Sequence, residues 1–338
     1  MKDELPLVSV IIPTWNRQSF IRAALDSIFA QTYPEERLQI IIVDDGSTDA
    51  TREILKGYRK RIHCICQENK GIAGARNAGM SRAEGDIITF LDSDDIYNAG
   101  RLDRVADAFG KNPEAGMVFH PVELVDKDGR RLYRNFNDAF GYDGASGGWI
   151  AEEIFSGRIF CGGSSFAFRR SVIDRIYPVP EDIRIGVDYY MTAIASCFAS
   201  ASYIPDILGK YRSHTGNMTM SGMKRDRGRL AMMNREFAHM RQCALEKILS
   251  LRGQDISATD LDSIRRIRAK EMIVYHFLEG RRLEGIRQIP SLFKGKKGFQ
   301  DLFRGIAISL IAVLFPSDLF PVLLRAHKFL RKLKLIRF

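Results

Sequence analysis

The 338-residue sequence has few cysteines and no long apolar segment near its start. Its five cysteines form no CxxC pair and no spacing typical of metal ligands, which argues against a disulfide scaffold or a structural zinc site. Residues 1–7 include three charged side chains, and the apolar run 8–12 is too short for a secretory leader. We therefore expect a cytoplasmic protein with reduced thiols.

An evenly spread excess of positive charge is also missing. The net charge is +10, but residues 281–338 hold thirteen Lys or Arg residues against three acidic ones, so the preceding residues sum to zero. Because the basic residues are confined to this tail, the composition does not predict a catalytic domain that binds nucleic acid.

The tail lacks an apolar run long enough to span a bilayer, which takes about 20 largely apolar residues. Its longest run is 305–315, and the following apolar segment is interrupted by two prolines and Asp318. We expect residues 305–324 to lie in the interface of an anionic membrane while basic residues 325–337 contact its headgroups. The protein would then be peripheral on the inner face of the cell membrane. A buried helix pair or a dimer contact would explain the same pattern.

The first 120 residues alternate short apolar runs with amphipathic helical patterns. The runs typical of strands are 8–12, 40–43, 62–66, 87–91 and 117–120. Helical spacing fills the intervals, with Ser19 as the expected N-cap of the first helix and a second helix beginning near residue 48. Continuously apolar strands separated by helices predict an α/β fold with a mostly parallel central sheet flanked by helices.

Three of these strands end in polar residues, and the ends of parallel strands lie along one edge, where ligands bind. The three ends are 13–17, Asp44-Asp45-Gly46-Ser47 and Asp92-Ser93-Asp94-Asp95. Five carboxylates at one rim repel one another unless a cation binds between them. The pattern therefore predicts a Mn²⁺ or Mg²⁺ site beside a phosphate-bearing substrate. Taken singly, each acidic segment is also typical of a turn that caps the next helix.

Three further segments have a structural explanation as well as a functional one. Residues 71–79 are rich in glycine but lack GxGxxG and do not follow the first strand, which favours close helix packing, with Arg76 near a phosphate. Asp188 is either a first-turn residue favoured by the helix dipole or a general base. His214 is either a solvated loop histidine or a ligand.

In order and spacing, four segments together resemble glycosyltransferase family 2, which has the GT-A fold. They are 8–16, Asp44 to Ser47, 71–77 and Phe90 to Asp95, and the resemblance covers about residues 7–215. It implies an inverting hexosyl- or N-acetylhexosaminyl-transferase that uses a nucleotide sugar, with a UDP-sugar favoured. The implied acceptor is a hydroxyl of a glycan or lipid-linked molecule in cell-surface polysaccharide synthesis.

The resemblance also implies roles for the residues that match the family's motifs. The nucleotide sugar is expected to contact Pro13, Thr14, Asn16, Asp44, Asp45, Asn69, Arg76, Asp92 and Ser93. The metal is expected between Asp92, Asp94 and His214. The catalytic base is expected at Asp188, although Val187 stands where the family has a glutamate. Asp182, which follows Glu181, is the second candidate.

The expected organisation has three parts. They are a GT-A catalytic domain at 1–220 (nucleotide-binding half 1–120, acceptor-binding half 121–220), an α-helical extension at 221–280, and the membrane-associated tail at 281–338. Residues 126–165 are expected to shape the acceptor site.

Two other functions remain in view. The first is a non-catalytic scaffold of the same fold that binds nucleotide or glycan. Only Val187 supports it, and clustered carboxylates without a ligand are destabilising. The second is a nucleotidyltransferase, which would need a Gly-rich basic loop after the first strand, and residues 13–17 are not one. The sequence leaves the sugar, the acceptor, the linkage and the oligomeric state open.

Overall fold

A computed structural model describes residues 5–134, 154, 162–217 and 227–251 of the chain. These residues fall into two compact units. The first unit contains the described residues up to 217 together with 243–251, and the second contains residues 227–242. All site residues discussed below belong to the first unit.

The described residues form strands and helices that alternate through the first 120 positions. The strands are β1 (Val8–Thr14), β2 (Leu38–Asp44), β3 (His63–Cys66), β4 (Ile87–Phe90), β5 (Ile96–Tyr97), β6 (Ala115–Phe119), β7 (Val122–Val125), β8 (Arg131–Tyr133), β9 (Phe166–Arg169), β10 (Ser200–Tyr203) and β11 (Gly209–Arg212). The α-helices are α1 (Ile21–Phe29), α2 (Thr51–Lys56), α3 (Gly71–Met80), α4 (Arg101–Lys111), α5 (Arg170–Ile176), α6 (Val187–Ala195) and α7 (Arg227–Ser250).

A seven-stranded sheet in the order β10-β6-β9-β4-β1-β2-β3 forms the centre of the first unit. Its strands pair in parallel, except that β9 runs antiparallel to both β4 and β6. A second, four-stranded sheet has the order β5-β11-β7-β8. The predicted α/β fold with a mostly parallel sheet is confirmed.

The sheet order decides which loops meet. Strands β4, β1 and β2 are neighbours, so the three polar strand ends lie side by side at one edge, as the sequence predicts. Every residue of β1 and of β4 is buried, which explains why both strands are mostly apolar and show no alternation with charged side chains.

Helix α3 packs very close to β1. A Cβ atom at Gly79 would clash with the Ile11 side chain, so only glycine permits this approach. The prediction that the glycines of 71–79 allow close helix packing is confirmed at this position.

Two local predictions about helix starts are wrong. Helix α1 begins at Ile21, with Phe20 as N-cap and no side-chain capping bond, so Ser19 is not the cap. Helix α2 begins at Thr51 rather than near residue 48, because the backbone amides of Thr48 and Asp49 are bonded to the Asn16 side chain instead.

Several predictions concern residues outside the described ranges. The tail 281–338, with its interfacial segment 305–324, lies wholly outside them, and so do most of the 126–165 segment and the part of the helical extension beyond residue 251. Helix α7 accounts for the first part of that extension. Within the described residues, no helix combines the length and apolar character needed to cross a membrane. The expected domain boundaries stay predictions.

Candidate active site

The loop after β1 is tied to the loop after β2 by Asn16. Its backbone has φ 52°, a left-handed conformation that asparagine tolerates better than most residues. The Asn16 side-chain oxygen accepts hydrogen bonds from the backbone amides of Thr48 (2.8 Å) and Asp49 (3.3 Å). The backbone amide of Asn16 donates to Ser47 Oγ (3.0 Å). Asn16 therefore holds two predicted nucleotide-binding loops together.

The two carboxylates at the end of β2 are held by separate sets of donors. Asp44 is fully buried and accepts hydrogen bonds from the Ser47 amide (2.9 Å) and Arg52 Nε (2.7 Å). Asp45 accepts from Gln67 Nε2 (2.7 Å) and the Lys70 amide (2.9 Å). These bonds fix the orientation of both side chains.

The other residues predicted for the nucleotide flank these carboxylates. Pro13 is buried in β1 opposite Val43, and Thr14 pairs with Asp44. The Thr14 hydroxyl is buried without a hydrogen-bond partner among the described residues. Asn69 is exposed, and its side-chain oxygen accepts from the Gly71 amide (3.2 Å) at the start of α3.

Arg76 brings together two carboxylates that are 96 positions apart in the sequence. Its side chain is 1% exposed; Nη2 lies 3.2 Å from Asp92 Oδ1, and Nη1 forms an ion pair with Asp188 Oδ1. The guanidinium also lies over the Phe90 ring at 5.0 Å. One buried cation thus compensates two half-buried carboxylates, which leaves the cluster with an excess of negative charge.

That excess affects the protonation of Asp92. Burial, followed by the negative charge of Asp188, raises the pKa of Asp92 to about 7, although the Arg76 charge acts in the opposite direction. Binding of a cation at Asp92 or Asp188, or protonation of one of these carboxylates, would reduce this repulsion.

Gly163 lies directly against this cluster. It belongs to a short 3-10 helix, Gly163–Ser165, that precedes β9. A Cβ atom there would clash with Arg76 Nη2 and would lie 2.8 Å from Asp188 Oδ1 and 3.1 Å from Asp92 Oδ1. Only glycine therefore fits beside the three charged groups as they stand.

Asp94 forms a second cluster with His214 and Arg17. Its Oδ2 atom lies 2.9 Å from His214 Nε2 and 3.2 Å from Arg17 Nε. His214 Nδ1 accepts a hydrogen bond from the Gly216 amide (3.0 Å), so the neutral ring carries its proton on Nε2 and donates it to Asp94. The Phe20 ring stacks on the imidazole at 4.5 Å between centroids.

The surroundings of Asp94 favour its ionised form. Burial alone would raise the pKa of Asp94, but the hydrogen bond from His214 and the positive charge of Arg17 outweigh burial and lower this pKa. Asp94 thus differs from Asp92, two positions earlier, which lacks so favourable a set of partners.

Asp95 is a buried carboxylate that is hydrogen-bonded to residues near both clusters. It accepts hydrogen bonds from Ser164 Oγ (2.6 Å) and from the Arg212 amide (2.9 Å). Ser164 Oγ in turn accepts from the Asp92 amide (3.1 Å), while Arg212 Nε donates to the Asp94 carbonyl (2.9 Å). Burial and the charges of Asp94 and Asp92 raise the pKa of Asp95 well above its usual range.

A cleft of about 490 Å³ opens beside the Asp94 cluster. Its walls come from the loop after β1, the turn between β7 and β8, and the loop after β11. The lining residues are Asn16, Arg17, Phe20, Asp126, Lys127, Asp128, Ser213, His214, Thr215 and Gly216.

The side chains of Asp94 and His214 suit a divalent cation, whereas Asp92, the third predicted ligand, is held separately by Arg76, so the structure does not bring all three ligand atoms together. Carboxylate oxygens and an imidazole nitrogen are ligands that Mn²⁺ accepts, and Mg²⁺ takes the oxygens together with substrate phosphates. Asp94 Oδ2 already accepts hydrogen bonds from His214 Nε2 and Arg17 Nε, so this oxygen is accessible to positively polarised groups. Ligation through His214 Nε2 would require the proton on that nitrogen to leave.

Most of these residues were predicted from the sequence, but three residues of the site were not. Arg17 was not among the predicted site residues, and Gly163 and Ser164 were noted only as part of a segment that shapes the acceptor site. The signal for Arg17 is its position in the first polar strand end; for Gly163 there is only the doubled glycine at 162–163.

The two candidate bases, Asp188 and Asp182, lie in different surroundings. The Asp188 carboxylate reaches the Arg76 cluster from the first turn of α6, beside buried Val187. Asp182 is exposed, and its carboxylate lies within 4.8 Å of the Cys243 thiol. This geometry favours Asp188, which stays a prediction as the base.

Comparisons of sequence identify relatives of this chain. The model of the family described as "Glycosyl transferase family 2" matches residues 9–177. An uncharacterised glycosyltransferase of Nostoc sp. is 30% identical over 228 residues, which cover 63% of this chain and 67% of the relative. A candidate teichuronic acid biosynthesis glycosyltransferase of Bacillus subtilis, TuaG, is 39% identical over 136 residues, covering 39% and 53% of the two chains. The match thus spans about half to two thirds of these relatives.

Comparisons of structure show the same fold. S. aureus TarS 1–349 in complex with UDP-GlcNAc superposes with a TM-score of 0.54 at 18% identity, covering 83% of this chain and 88% of TarS. The mannosyltransferase PcManGT of Pyrobaculum calidifontis, in complex with GDP-Man and Mn²⁺, gives a TM-score of 0.54 at 20% identity, covering 91% and 81%. At these identities the similarity establishes the fold only.

Proposed function

Because this chain belongs to glycosyltransferase family 2, whose model matches residues 9–177, we propose that it is an inverting, metal-dependent sugar transferase. The donor is a nucleoside-diphosphate sugar, with a UDP-sugar favoured, and the acceptor is a hydroxyl of a glycan or lipid-linked molecule in cell-surface polysaccharide synthesis. The observation that carries this proposal is the joining of Asp92 and Asp188 on buried Arg76, beside the Asp94 and His214 pair.

Asp188 is the proposed general base. Its side chain is 25% exposed, so one part reaches solvent and an incoming hydroxyl while Arg76 fixes the other. The carboxylate accepts the hydroxyl proton as the acceptor oxygen attacks the anomeric carbon. The bond from that carbon to the diphosphate oxygen breaks on the opposite face, which inverts the anomeric centre without a covalent enzyme intermediate.

The loops after β1 and β2 are proposed to hold the nucleotide. The buried Thr14 hydroxyl still has hydrogen-bonding capacity, and Asp44 and Asp45 are oriented by fixed donors beside it. Asp92 and Ser93 are proposed to contact the ribose, and Asp94 and His214 to hold Mn²⁺ or Mg²⁺. When bound, that cation would stabilise the negative charge on the departing diphosphate.

Complexes of two proteins with a similar fold support this assignment by analogy. TarS is known in complex with UDP-GlcNAc, and PcManGT in complex with GDP-Man and Mn²⁺. The name of TuaG refers to teichuronic acid biosynthesis, which agrees with a polysaccharide product. The basic tail 281–338 supports a peripheral location on the inner membrane face, near a lipid-linked acceptor.

The test is calorimetric titration of the purified protein with UDP, with and without Mn²⁺. We expect binding that needs Mn²⁺ and is lost in Asp94→Asn. Asp107→Asn, which alters an exposed carboxylate paired with Lys111 on α4, is the matched control and should bind as the wild type does. Equal binding with and without metal would contradict the role of Asp94.

A donor panel separates the enzyme from a non-catalytic scaffold. UDP-, GDP- and dTDP-sugars are incubated with the protein and isolated membranes as the acceptor source, and release of nucleoside diphosphate is measured. Binding of a nucleotide without turnover of any donor would favour the scaffold, and absence of both would contradict the proposal as a whole.

A further inference from the structure

Arg17 is held separately through its main chain and through its side chain. Its backbone amide donates to Thr51 Oγ1 (2.8 Å), which fixes the loop through the main chain. Its side chain donates to Asp94 Oδ2 (3.2 Å from Nε), to the Gly216 carbonyl (3.4 Å from Nη2), and through Nη1 to the carbonyls of Trp15 (3.3 Å) and Asn16 (3.2 Å) in its own loop. The side chain can therefore change partners without moving the backbone.

The Asp94 oxygen that Arg17 contacts is the one that His214 also contacts. A divalent cation held by Asp94 and His214 would lie close to the Arg17 guanidinium, since both side chains contact this Oδ2 atom. A divalent cation and a guanidinium that both contact one carboxylate repel each other, because two positive charges a few ångströms apart interact strongly in a partly buried site. Metal binding and the Arg17–Asp94 ion pair are therefore in competition.

The exposure of the arginines around the site decides which one can move. Arg76 is 1% exposed and is held by the half-buried Asp92 and Asp188, and Arg212 is 7% exposed and donates to the Asp94 carbonyl. The Arg17 side chain is 21% exposed and lines the 490 Å³ cleft. Of these three, Arg17 has the geometry of a cation that can leave Asp94 and turn toward a ligand in the cleft.

We propose that Arg17 is the resident counter-ion of Asp94, that the divalent metal displaces it, and that the released guanidinium then contacts the diphosphate of the bound nucleotide. This inference rests on the proposed function, since it assumes a metal at Asp94 and a diphosphate in the cleft. Arg17 would thus oppose metal binding in the empty enzyme and favour nucleotide binding once the metal is present.

The test measures Mn²⁺ affinity from the free-ion signal in electron paramagnetic resonance, without nucleotide. Arg17→Gln removes the competing charge and keeps a polar side chain of similar reach. We expect it to bind Mn²⁺ about fivefold more tightly than the wild type, as loss of a partly exposed ion pair implies. Arg17→Lys keeps the charge, so its Mn²⁺ affinity should stay near the wild-type value, and it also serves if Arg17→Gln folds poorly.

A second measurement tests the released state. With saturating Mn²⁺, Arg17→Gln should lose about tenfold in affinity for UDP but much less for uridine, because only UDP carries the diphosphate. Arg104→Gln, which breaks an exposed ion pair with Asp206, is the matched control and should change neither affinity. The opposite signs of the two Arg17→Gln effects distinguish an exchange from a purely structural contact.

The outcomes separate this inference from the proposed function. Wild-type binding of Mn²⁺ and UDP, combined with unchanged or weaker Mn²⁺ binding in Arg17→Gln, overturns the exchange and leaves the proposed function intact. A wild-type protein that binds neither Mn²⁺ nor UDP overturns both.

Discussion

Two buried arginines, Arg76 and Arg101, show how differently one fold can use the same residue. Arg76 is compensated by Asp92 and Asp188. Arg101, fully buried at the start of α4, has only neutral partners among the described residues. They are His120 Nε2 (2.9 Å from Nε), Thr89 Oγ1 (2.9 Å from Nη2), the Phe166 carbonyl (3.3 Å from Nη2) and the Tyr97 ring (3.8 Å).

The two surroundings shift the guanidinium pKa in opposite directions. Burial lowers the pKa of Arg101 because no carboxylate compensates it. Burial also acts to lower the pKa of Arg76, but the charges of Asp188 and Asp92 outweigh burial and raise it. Burial of an arginine is therefore no sign of function by itself. The imbalance of charge around Arg76, two carboxylates for one cation, is what suits a site that takes up a proton or a metal.

The largest effect should come from removing the carboxylate with the proposed chemical role. In Asp188→Asn we expect release of nucleoside diphosphate to fall by about 10³-fold, because the base is lost while its shape remains. UDP affinity should change little. Asp182→Asn, altering the exposed second candidate, is the control. A full loss in Asp182→Asn and none in Asp188→Asn would reverse the assignment.

The neutral arginine network should matter for stability and little for binding. In Arg101→Met the hydrogen bonds to His120, Thr89 and Phe166 are lost in the core, and we expect the free energy of unfolding to fall by about 3 kcal/mol. Urea denaturation measures this change, and calorimetry should show UDP affinity unchanged in the folded variant. Loss of UDP binding at unchanged stability would show that the two arginines do not differ as described.

The charged cluster should be sensitive to a single methyl group. Gly163→Ala places a Cβ among Arg76, Asp188 and Asp92, and a displacement of these groups by an ångström costs about 10²-fold in turnover. Gly110→Ala on α4 is the matched control, because its Cβ would meet nothing within 4 Å. Donor turnover of the two variants is compared at equal folded concentration. Equal turnover would show that the cluster tolerates the displacement.

The smallest expected effect is a pH dependence confined to the neutral network. Burial and the nearby Arg101 charge lower the pKa of His120 from 6.5 to about 3, so the folded protein holds this ring neutral. The stabilisation is complete above the unfolded pKa of 6.5 and is lost as pH falls toward 3. Between pH 7 and pH 5 this residue should cost roughly 2 kcal/mol of unfolding free energy.

The variant His120→Gln isolates that contribution. Its amide oxygen can still accept the Arg101 Nε–H bond but does not titrate, so its stability should fall less steeply between pH 7 and pH 5. Urea denaturation at the two pH values gives the difference in slope between the proteins. Parallel pH profiles would show that His120 does not contribute.

The sequence predicted the frame of this site from short-range signals. Apolar runs of four or five residues (8–12, 40–43 and 87–91), each followed by polar residues, predicted β1, β2 and β4 and the loops after them. The rule that parallel strands place such ends at one edge then brought Asn16, Asp44 and Asp92 together. The predicted start of α2 was wrong because the Asn16 side chain, from a distant loop, bonds to backbone amides that local propensity assigns to the helix.

The sequence by itself therefore determined the α/β fold, the strand ends at one edge and the acidic character of that edge, because periodicity and strand pairing are readable from neighbouring residues. Only the tertiary structure decided that Arg76 joins Asp92 to Asp188, that Gly163 closes against all three, that Arg17 lies on Asp94, and that Arg101 is buried among neutral groups. Each of these contacts joins segments that are distant in the chain, and their distances depend on how the loops and helices pack. No local pattern encodes that packing.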